Sequence, residues 1–442
     1  MEKLETERKI YNGGSLMKKF MLLCGPCSSR SGYGDHTRDV MRSFIENYDD
    51  TYDILIIDVP WGSTPRNALD INIPKDKALL DRYLNQDNDP RKQPDVYVDI
   101  RIPNEFQTYG KVNIGITAGI ETTAVSSKWL EGCNKMDLII VPSGHSRSGF
   151  VKSIYDKVQN LPDGKQQKVG ELKLEKPIEV LFEGVDTTIF NGKSSSSILD
   201  SVETDFNFLY VGHWLSGDLG HDRKDTGMMI KTFCTVFKGL PKNQQPGLIL
   251  KTSSAGFSVG DREIIKEKVE EITKEFGDKC PPIHLVWGDL SESELNDLYN
   301  DEKVKSFIMF TKGEGYGRPL AEFATTGKPI IVSKWSGHTD FLPEENTVYL
   351  DGELKEVHQS AQNKFLLPES KWFYVNYSTA AQRIFDVYKN YKTHLKKSAG
   401  LKTNINTNFT LNEMTKKLKS IVDQYVKIQQ HVELKLPEIK KL

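Results

Sequence analysis

Two glutamates, Glu314 and Glu322, stand eight positions apart in the stretch TKGEGYGRPLAEFATTGKPIIVS, residues 311–333. Between them lie Gly315, Tyr316, Gly317 and Arg318, followed by Pro319. A carboxylate accepts several hydrogen bonds and suits the hydroxyls of a sugar or a ribose, while glycine lets a ligand approach bare backbone. Pro319 fits the first turn of a helix, so Gly315–Arg318 would lead into it with N–H groups aimed outward. On that helix Leu320, Phe323, Ala324 and Gly327 share the face that packs inward. Glu322 would then lie on the opposite side, free for a ligand, and Glu314 would stand at the strand end. For an arbitrary pair at this spacing, two surface glutamates are the plainer reading. The glycines, the proline and the apolar run Phe307–Phe310 argue for a site here.

Two further loops have residues for anions. In VGHWLSGDLGHDRKDTG, residues 211–227, Arg223 and Lys224 sit where a helix begins, with Asp225 or Thr226 able to cap it. Two cations at a helix N-terminus suit a diphosphate. In GPCSSRSGYGDH, residues 25–36, Gly32 and Gly34 allow close backbone approach, and Tyr33 and His36 offer side chains. Gly34 and Lys251 are candidate donor contacts, and Tyr33 and His36 candidate acceptor contacts. The run Cys24-Gly25-Pro26-Cys27 imitates a redox motif, but a long loop follows it instead of a helix, and five cysteines suggest no disulfide framework. Asp87-Asn88-Asp89 imitates a metal-binding D-x-D but lies in a polar insertion, away from any strand end. No metal site is expected.

Loops of this kind need sheets to hold them. Short apolar runs alternate with helix-like stretches, the pattern of parallel α/β units. Strands are expected at 20–24, 52–59, 96–102, 112–116, 137–141 and 178–182, with helices at 35–46 and 127–134. The segment 61–94 is polar and irregular, an insertion with a short helix. After a low-apolar stretch with four consecutive serines, strands resume at 206–211, 247–251, 284–287, 306–310, 329–332 and 347–350. Helices are expected at 225–237, 262–276, 292–299 and 319–326. The organisation reads as a loose extension at 1–16, an α/β domain at 17–190, a linker at 191–204, a second α/β domain at 205–377, and helices at 378–442 that pack back across both.

The 442 residues are 38% hydrophobic and 27% charged, with a mean hydropathy of -0.48, as in a soluble globular protein. No apolar run reaches membrane-spanning length, and the charged start lacks a signal core, so a cytoplasmic protein is expected. The net charge of -2 is uneven: residues 383–442 hold 13 Lys/Arg against 5 Asp/Glu, a surplus of eight that leaves -10 elsewhere. That surplus suits an anionic partner or simply two solvated helices.

The stretch GEGYGRPLAEFATTGKPIIVSKWSGHTDFL resembles the donor-site signature of retaining GT-B glycosyltransferases of family four, E-G-x-G-x-P-x-x-E. VWGDLSESELNDLYN, EGVDTTIF and DLIIVPSGHSRSGF are similar to further segments of that family, so the likeness spans residues 20–350. RSGYGDHTRD, GIETT and DRKDTGMMIKTF resemble glycosyltransferases of tailed bacteriophages, which would place the protein in a host cytoplasm.

The resemblance implies two Rossmann-like domains facing each other across a cleft, and a nucleotide sugar, UDP-linked by the family's habit, as substrate. It implies a hexosyl- or pentosyltransferase with no cofactor and no required metal. Glu322 would bind the ribose, Glu314 the transferred sugar, and the amides of Gly315, Tyr316, Gly317 and Arg318 would face sugar and phosphate. Lys224 matches the family's diphosphate lysine. The paired arginine of the family is replaced by His213, with Arg223 as substitute after a longer loop. Where many members have a histidine near the reaction centre, Glu121 stands here, and it joins Glu314 and Lys224 as a catalytic candidate. Hydroxymethylated phage DNA is one acceptor the likeness admits. A glycan- or lipid-directed transferase and a non-catalytic nucleotide-sugar-binding protein of the same fold are the alternatives. These motifs fix neither the sugar nor the oligomeric state.

Overall fold

The structure is a computed structural model that describes residues 18–160, 165–254 and 259–430. The extension expected at 1–16 and the end of the 378–442 segment lie outside the described residues. Parallel strands buried on both faces read as near-continuous apolar runs. The first sheet collects six of them: β1 (Lys19–Gly25), β2 (Tyr52–Asp58), β3 (Val96–Ile100), β4 (Val112–Ile116), β5 (Leu138–Val141) and, after a hairpin of β6 (Tyr155–Asn160) and β7 (Gln166–Leu172), β8 (Ile178–Val180). Their spatial order is β2-β1-β3-β4-β5-β8, all parallel. Its helices include α1 (Gly32–Tyr48), α2 (Pro74–Leu80) in the insertion, α3 (Ser127–Cys133) and α4 (Gly144–Lys152).

The second sheet holds β9 (Asn207–Val211), β10 (Gly247–Lys251), β11 (Ile283–Val286), β12 (Val304–Met309), β13 (Ile330–Ser333) and β14 (Val348–Leu350). Their order is β11-β10-β9-β12-β13-β14, again parallel. The helices are α5 (Thr226–Phe237), α6 (Val259–Thr273), α7 (Glu292–Asn300) and α8 (Arg318–Ala324). A hairpin of β15 (Gly352–Glu356) and β16 (Lys371–Val375) follows. Three long helices close the described chain: α9 (Tyr377–Lys389), α10 (Tyr391–Asn408) and α11 (Leu411–Gln430).

In both sheets the chain runs outward on one side of the first strand and then returns to the other side. Such switch points, between β1 and β3 and between β9 and β12, are where open α/β sheets take ligands, beyond the strands' carboxyl ends. Those ends point at each other. The loop after β12 lies so close to the loop after β4 that a Cβ at Gly313 would stand 1.9 Å from Glu121 O, and one at Gly315 2.2 Å from Ala118 O. Glycine is what lets these two loops meet.

The chain crosses between the domains twice, at 181–206 and again at Phe409–Leu411. The crossings lie side by side: Val185 N donates to Phe409 O at 2.9 Å, and Leu411 N to Val185 O at 2.8 Å. As expected, the last helices pack back across both domains. Tyr388 of α9 donates its hydroxyl to Gln244 O in the second domain, and Ser398 of α10 to Gly327 O beyond α8. Thr415 of α11 bonds Ser43 of α1, and Tyr425 bonds Glu179 of β8. The four serines expected in a linker are tied to the second domain, since Ser195, Ser196 and Ser197 bond the carboxylates of Asp297 and Asp301.

Candidate active site at the facing switch points

The loop after β9 delivers Arg223 and Lys224 to the loop after β12, where both converge on Glu314. Lys224 Nζ lies 2.5 Å from Glu314 Oε1, Arg223 Nη1 lies 3.3 Å from Oε2, and Thr311 Oγ1 donates to Oε1 at 2.6 Å. Burial works to raise the Glu314 carboxyl, but Lys224 and Arg223 override it and hold it at about 2. Arg223 Nη1 also donates to Gly313 O at 3.0 Å and stands 3.9 Å from Glu121 Oε1. Glu121 comes from the loop after β4 in the other domain, and its side chain is 37% exposed. Four candidate residues from two domains thus meet within one ion-pair network.

Above that carboxylate the backbone turns with Gly317 at φ 106°, a conformation that favours glycine. The N–H groups of Gly315, Tyr316 and Gly317 have no partner among the described residues. Successive free amides of this kind form an anion-binding concavity. Tyr316 turns its ring away from them, into the core against Phe341 at 4.7 Å. Gly315 O accepts from Ser143 Oγ at 2.6 Å, at the start of α4 in the first domain.

The helix start behind the cations differs from its expectation. Neither Asp225 nor Thr226 caps α5 with its side chain. Asp225 has a left-handed backbone, φ 52°, and it is Asp222 Oδ2 that accepts from Thr226 N at 3.3 Å. The Asp225 carboxylate is instead turned inward, 3.0 Å from the fully buried Lys312 Nζ and 2.8 Å from Tyr377 OH. The backbone of Lys312 donates to Arg223 O at 2.7 Å and accepts from Phe373 N at 2.9 Å. Lys312 therefore clamps the two cation- and carboxylate-bearing loops together. Sequence reading passed over it because a lysine beside a strand end looks solvated; the cue was its place between Thr311 and Glu314.

His213, expected in place of a paired arginine, is lowered to about 4 by burial and the charges of Lys224 and Arg223. It is neutral near pH 7, with Nδ1 3.0 Å from Ser253 Oγ, and the second positive charge beside Glu314 is that of Arg223. Lys251 points to the end of β11, donating to Gly288 O at 2.6 Å.

Glu322 is not on an open face. It is 5% exposed, with Arg318 Nε 2.9 Å from Oε1 and Tyr299 OH 3.2 Å from Oε2. The expectation that it is free for a ligand is corrected: helical spacing shows which side is away from the sheet, but α7 and the other domain cover that side too. Burial raises this carboxyl to about 7, against the lowering effect of Arg318.

On the first domain, Ser31 Oγ caps α1 by accepting from Gly34 N at 3.0 Å, and a Cβ at Gly34 would stand 2.2 Å from Ser29 O. Tyr33 stacks on Trp61 of the insertion at 4.0 Å, donates to Thr117 Oγ1 at 3.2 Å and accepts from Ala118 N at 3.3 Å. It is thus joined to the Glu121 loop. His36 is not: it is 1% exposed, and neither ring nitrogen has a hydrogen-bond partner among the described residues. Burial lowers it to about 4. Cys24 and Cys27 are buried, and burial raises both thiols to about 11, which suits no redox exchange. Asp87 and Asp89 are exposed in a turn closed by Asn85. Among the described residues no cluster of three metal-ligating side chains occurs, and no helix is long and apolar enough to cross a membrane.

No protein-family model matches the chain, and no curated protein matches it in sequence. Solved structures do. A glycosyltransferase from Rickettsia africae superposes with a TM-score of 0.59 at 12% identity, covering 93% of this chain and 99% of that one. The sucrose-phosphate synthase of Thermosynechococcus elongatus gives 0.59 at 11%, covering 93% and 100%. HepE of Anabaena, solved in complex with UDP-glucose, gives 0.58 at 12%, covering 92% and 99%. The fold is GT-B. In GT-B terms the two facing switch points form the cleft between the domains, and Glu314, Lys224, Arg223 and Glu121 lie in it.

Proposed function

We propose that the protein is a retaining glycosyltransferase that moves a hexosyl or pentosyl unit from a nucleotide sugar, UDP-linked, to an acceptor hydroxyl. The observation that carries this reading is the Glu314 carboxylate, held by Lys224 and Arg223 under three unpartnered backbone amides at the second sheet's switch point. A diphosphate entering beside those amides competes for both cations. As Lys224 and Arg223 turn to the phosphates, Glu314 is released to accept hydroxyls of the sugar. Lys251 would hold the nucleoside end together with Glu322, whose Oε2 would exchange the Tyr299 hydroxyl for one of the ribose while Oε1 stays on Arg318.

In the transfer, the bond from the anomeric carbon to the phosphate oxygen breaks and a bond to the acceptor oxygen forms on the same face. The acceptor proton passes to the departing diphosphate. Negative charge grows on that diphosphate, where the loop amides and, once turned from Glu314, Arg223 and Lys224 are already in place when the bond breaks. Two fixed cations supply what a metal would otherwise supply. Glu121 borders the first-domain side of the cleft, and Tyr33, stacked on Trp61, lines the approach for the acceptor. Hydroxymethylated DNA is one acceptor in keeping with the surplus of positive charge in the last helices.

The test is metal-free nucleotide release from UDP-, GDP- and ADP-sugars, with and without DNA containing hydroxymethylcytosine. Release from one donor that rises with modified DNA supports transferase and acceptor together. Slow release independent of DNA keeps the transferase and directs the acceptor search to glycans and lipids. Binding of a nucleotide sugar with no release would leave a binding protein of the same fold.

A further inference from the structure

The guanidinium of Arg318 serves neither the diphosphate nor the sugar in the reading above. Its Nε donates to Glu322 Oε1 at 2.9 Å, and its Nη1 donates to Asp39 Oδ2 at 2.7 Å. Asp39 is 279 positions away, on α1 of the first domain. One rigid, planar group therefore spans two carboxylates on two domains, with all three side chains at most 13% exposed. Because the fork is planar, the carboxylate that fixes its Nε edge also aims Nη1. Turning Glu322 misdirects the arm that reaches Asp39.

The surroundings make that arm decisive. Asp35 of α1 and Glu183 of the interdomain crossing add two more carboxylates around Arg318. Arg38 and Arg42, on the same helix as Asp39, are drawn to Asp35 and Asp76, although Arg42 also reaches within 3.7 Å of Asp39. Without Arg318, buried like charges would face each other across the domain boundary. Among the described residues, the other ion pairs across the boundary are more exposed: Arg30 with Asp289 at 3.3 Å, Lys75 with Glu292 at 3.4 Å, and Arg223 with Glu121 at 3.9 Å.

We propose that Arg318 is a positioning residue that couples closure of the two domains to the Glu322 carboxylate, so that a nucleotide sugar engaging Glu322 is held by the closed form. The ligand half rests on the reading of Glu322 given above; the closure half does not. Coupling is reciprocal, so closure tightens the ligand by the factor by which the ligand favours closure.

Two measurements on the full chain test it: small-angle scattering without ligand, and UDP-glucose affinity with steady-state kinetics. Asp39 belongs to the first domain and its carboxylate is spent on Arg318, yet Asp39→Asn is expected to widen the particle and raise the UDP-glucose Kd about tenfold. The rise should fall on KM, with kcat at saturation kept, whereas a merely structural lesion would lower the folded fraction and leave the Kd of folded protein unchanged. Arg318→Lys, whose single ammonium cannot span both carboxylates, should behave like Asp39→Asn. The double variant Asp39→Asn/Arg318→Leu should be no worse than Arg318→Leu alone. Wild-type scattering and affinity in Asp39→Asn, or additive effects in the double variant, would overturn the proposal. If Arg318→Leu does not fold, Asp39→Asn and Arg318→Lys decide between the same outcomes. Should the wild type bind no UDP-glucose, the functional reading suffers while scattering of the variants still decides the strut.

Discussion

At Glu314 a carboxylate whose pKa is held at about 2 and a buried lysine form a close ion pair. Replacing Lys224 with Ala leaves Arg223, 3.3 Å away, as the nearest cation. If the diphosphate reading is right, losing one preorganised contact lowers kcat by about 10²–10³, as for a lost oxyanion donor. Single-turnover nucleotide release measures this directly, and unchanged turnover in Lys224→Ala would remove Lys224 from the mechanism. His213 gives a contrasting expectation. Being neutral near pH 7, it adds no charge to the phosphate site, so His213→Asn should change turnover by less than about threefold, under 1 kcal/mol. A loss as large as that of Lys224→Ala would show that histidine, not Arg223, completes the cation pair.

Among the elements, the clamp at Lys312 decides whether the two loops stay in register. Its ion pair with Asp225 is buried on both sides. Removing one partner of such a pair strands a charge and costs about 3–5 kcal/mol, whereas removing both is far less damaging. Urea denaturation of Lys312→Met should therefore show that loss, and Lys312→Met/Asp225→Asn should recover most of it. A double variant as unstable as the single would mean that Lys312 acts by packing on Tyr374, 4.7 Å away, and not by charge.

Legibility in the sequence follows the same physics. The twelve parallel strands could be read because most are buried on both faces, which leaves apolar runs such as FMLLC and LILK. The ribbons β6–β7 and β15–β16 could not, since β15 and nearly all of β7 are exposed or half-exposed and show no such run. Glu314 was legible as a site residue because it sits at a strand end beside glycines. The partners of Glu322 and the role of Asp225 were not, because each is fixed by an element distant in the chain.

The whole molecule is joined where its two crossings meet, and the charges buried there make its stability depend on pH. Burial raises Glu183 to about 8 and Glu322 to about 7. In the unfolded chain both lose their protons near pH 4.5. Between that pH and neutrality the folded state binds more protons than the unfolded state, so their contribution is complete below about 4.5 and is lost as pH rises through the folded values. Glu314 works in the opposite direction: its ion pairs are fully formed above about 4.5 and are lost only as pH falls toward 2.

Glu183 and Glu322 therefore act to lower the thermal midpoint as pH rises from 5 to 8, against His36, His145 and His213, which burial holds at about 4 and which favour the folded state as pH rises to 6.5. A tenfold difference in proton affinity between the folded and unfolded chain is worth about 1.4 kcal/mol, so Glu183 alone accounts for a few kcal/mol across that window. Glu183→Gln keeps the size and the neutral form while removing the titration. Relative to the wild type its melting temperature should climb between pH 5 and 8, and should exceed it at pH 8. An unchanged slope in Glu183→Gln would mean that the Glu183 carboxyl is already ionised at the crossing, paired with Arg318 as a fourth carboxylate instead of holding its proton beside it.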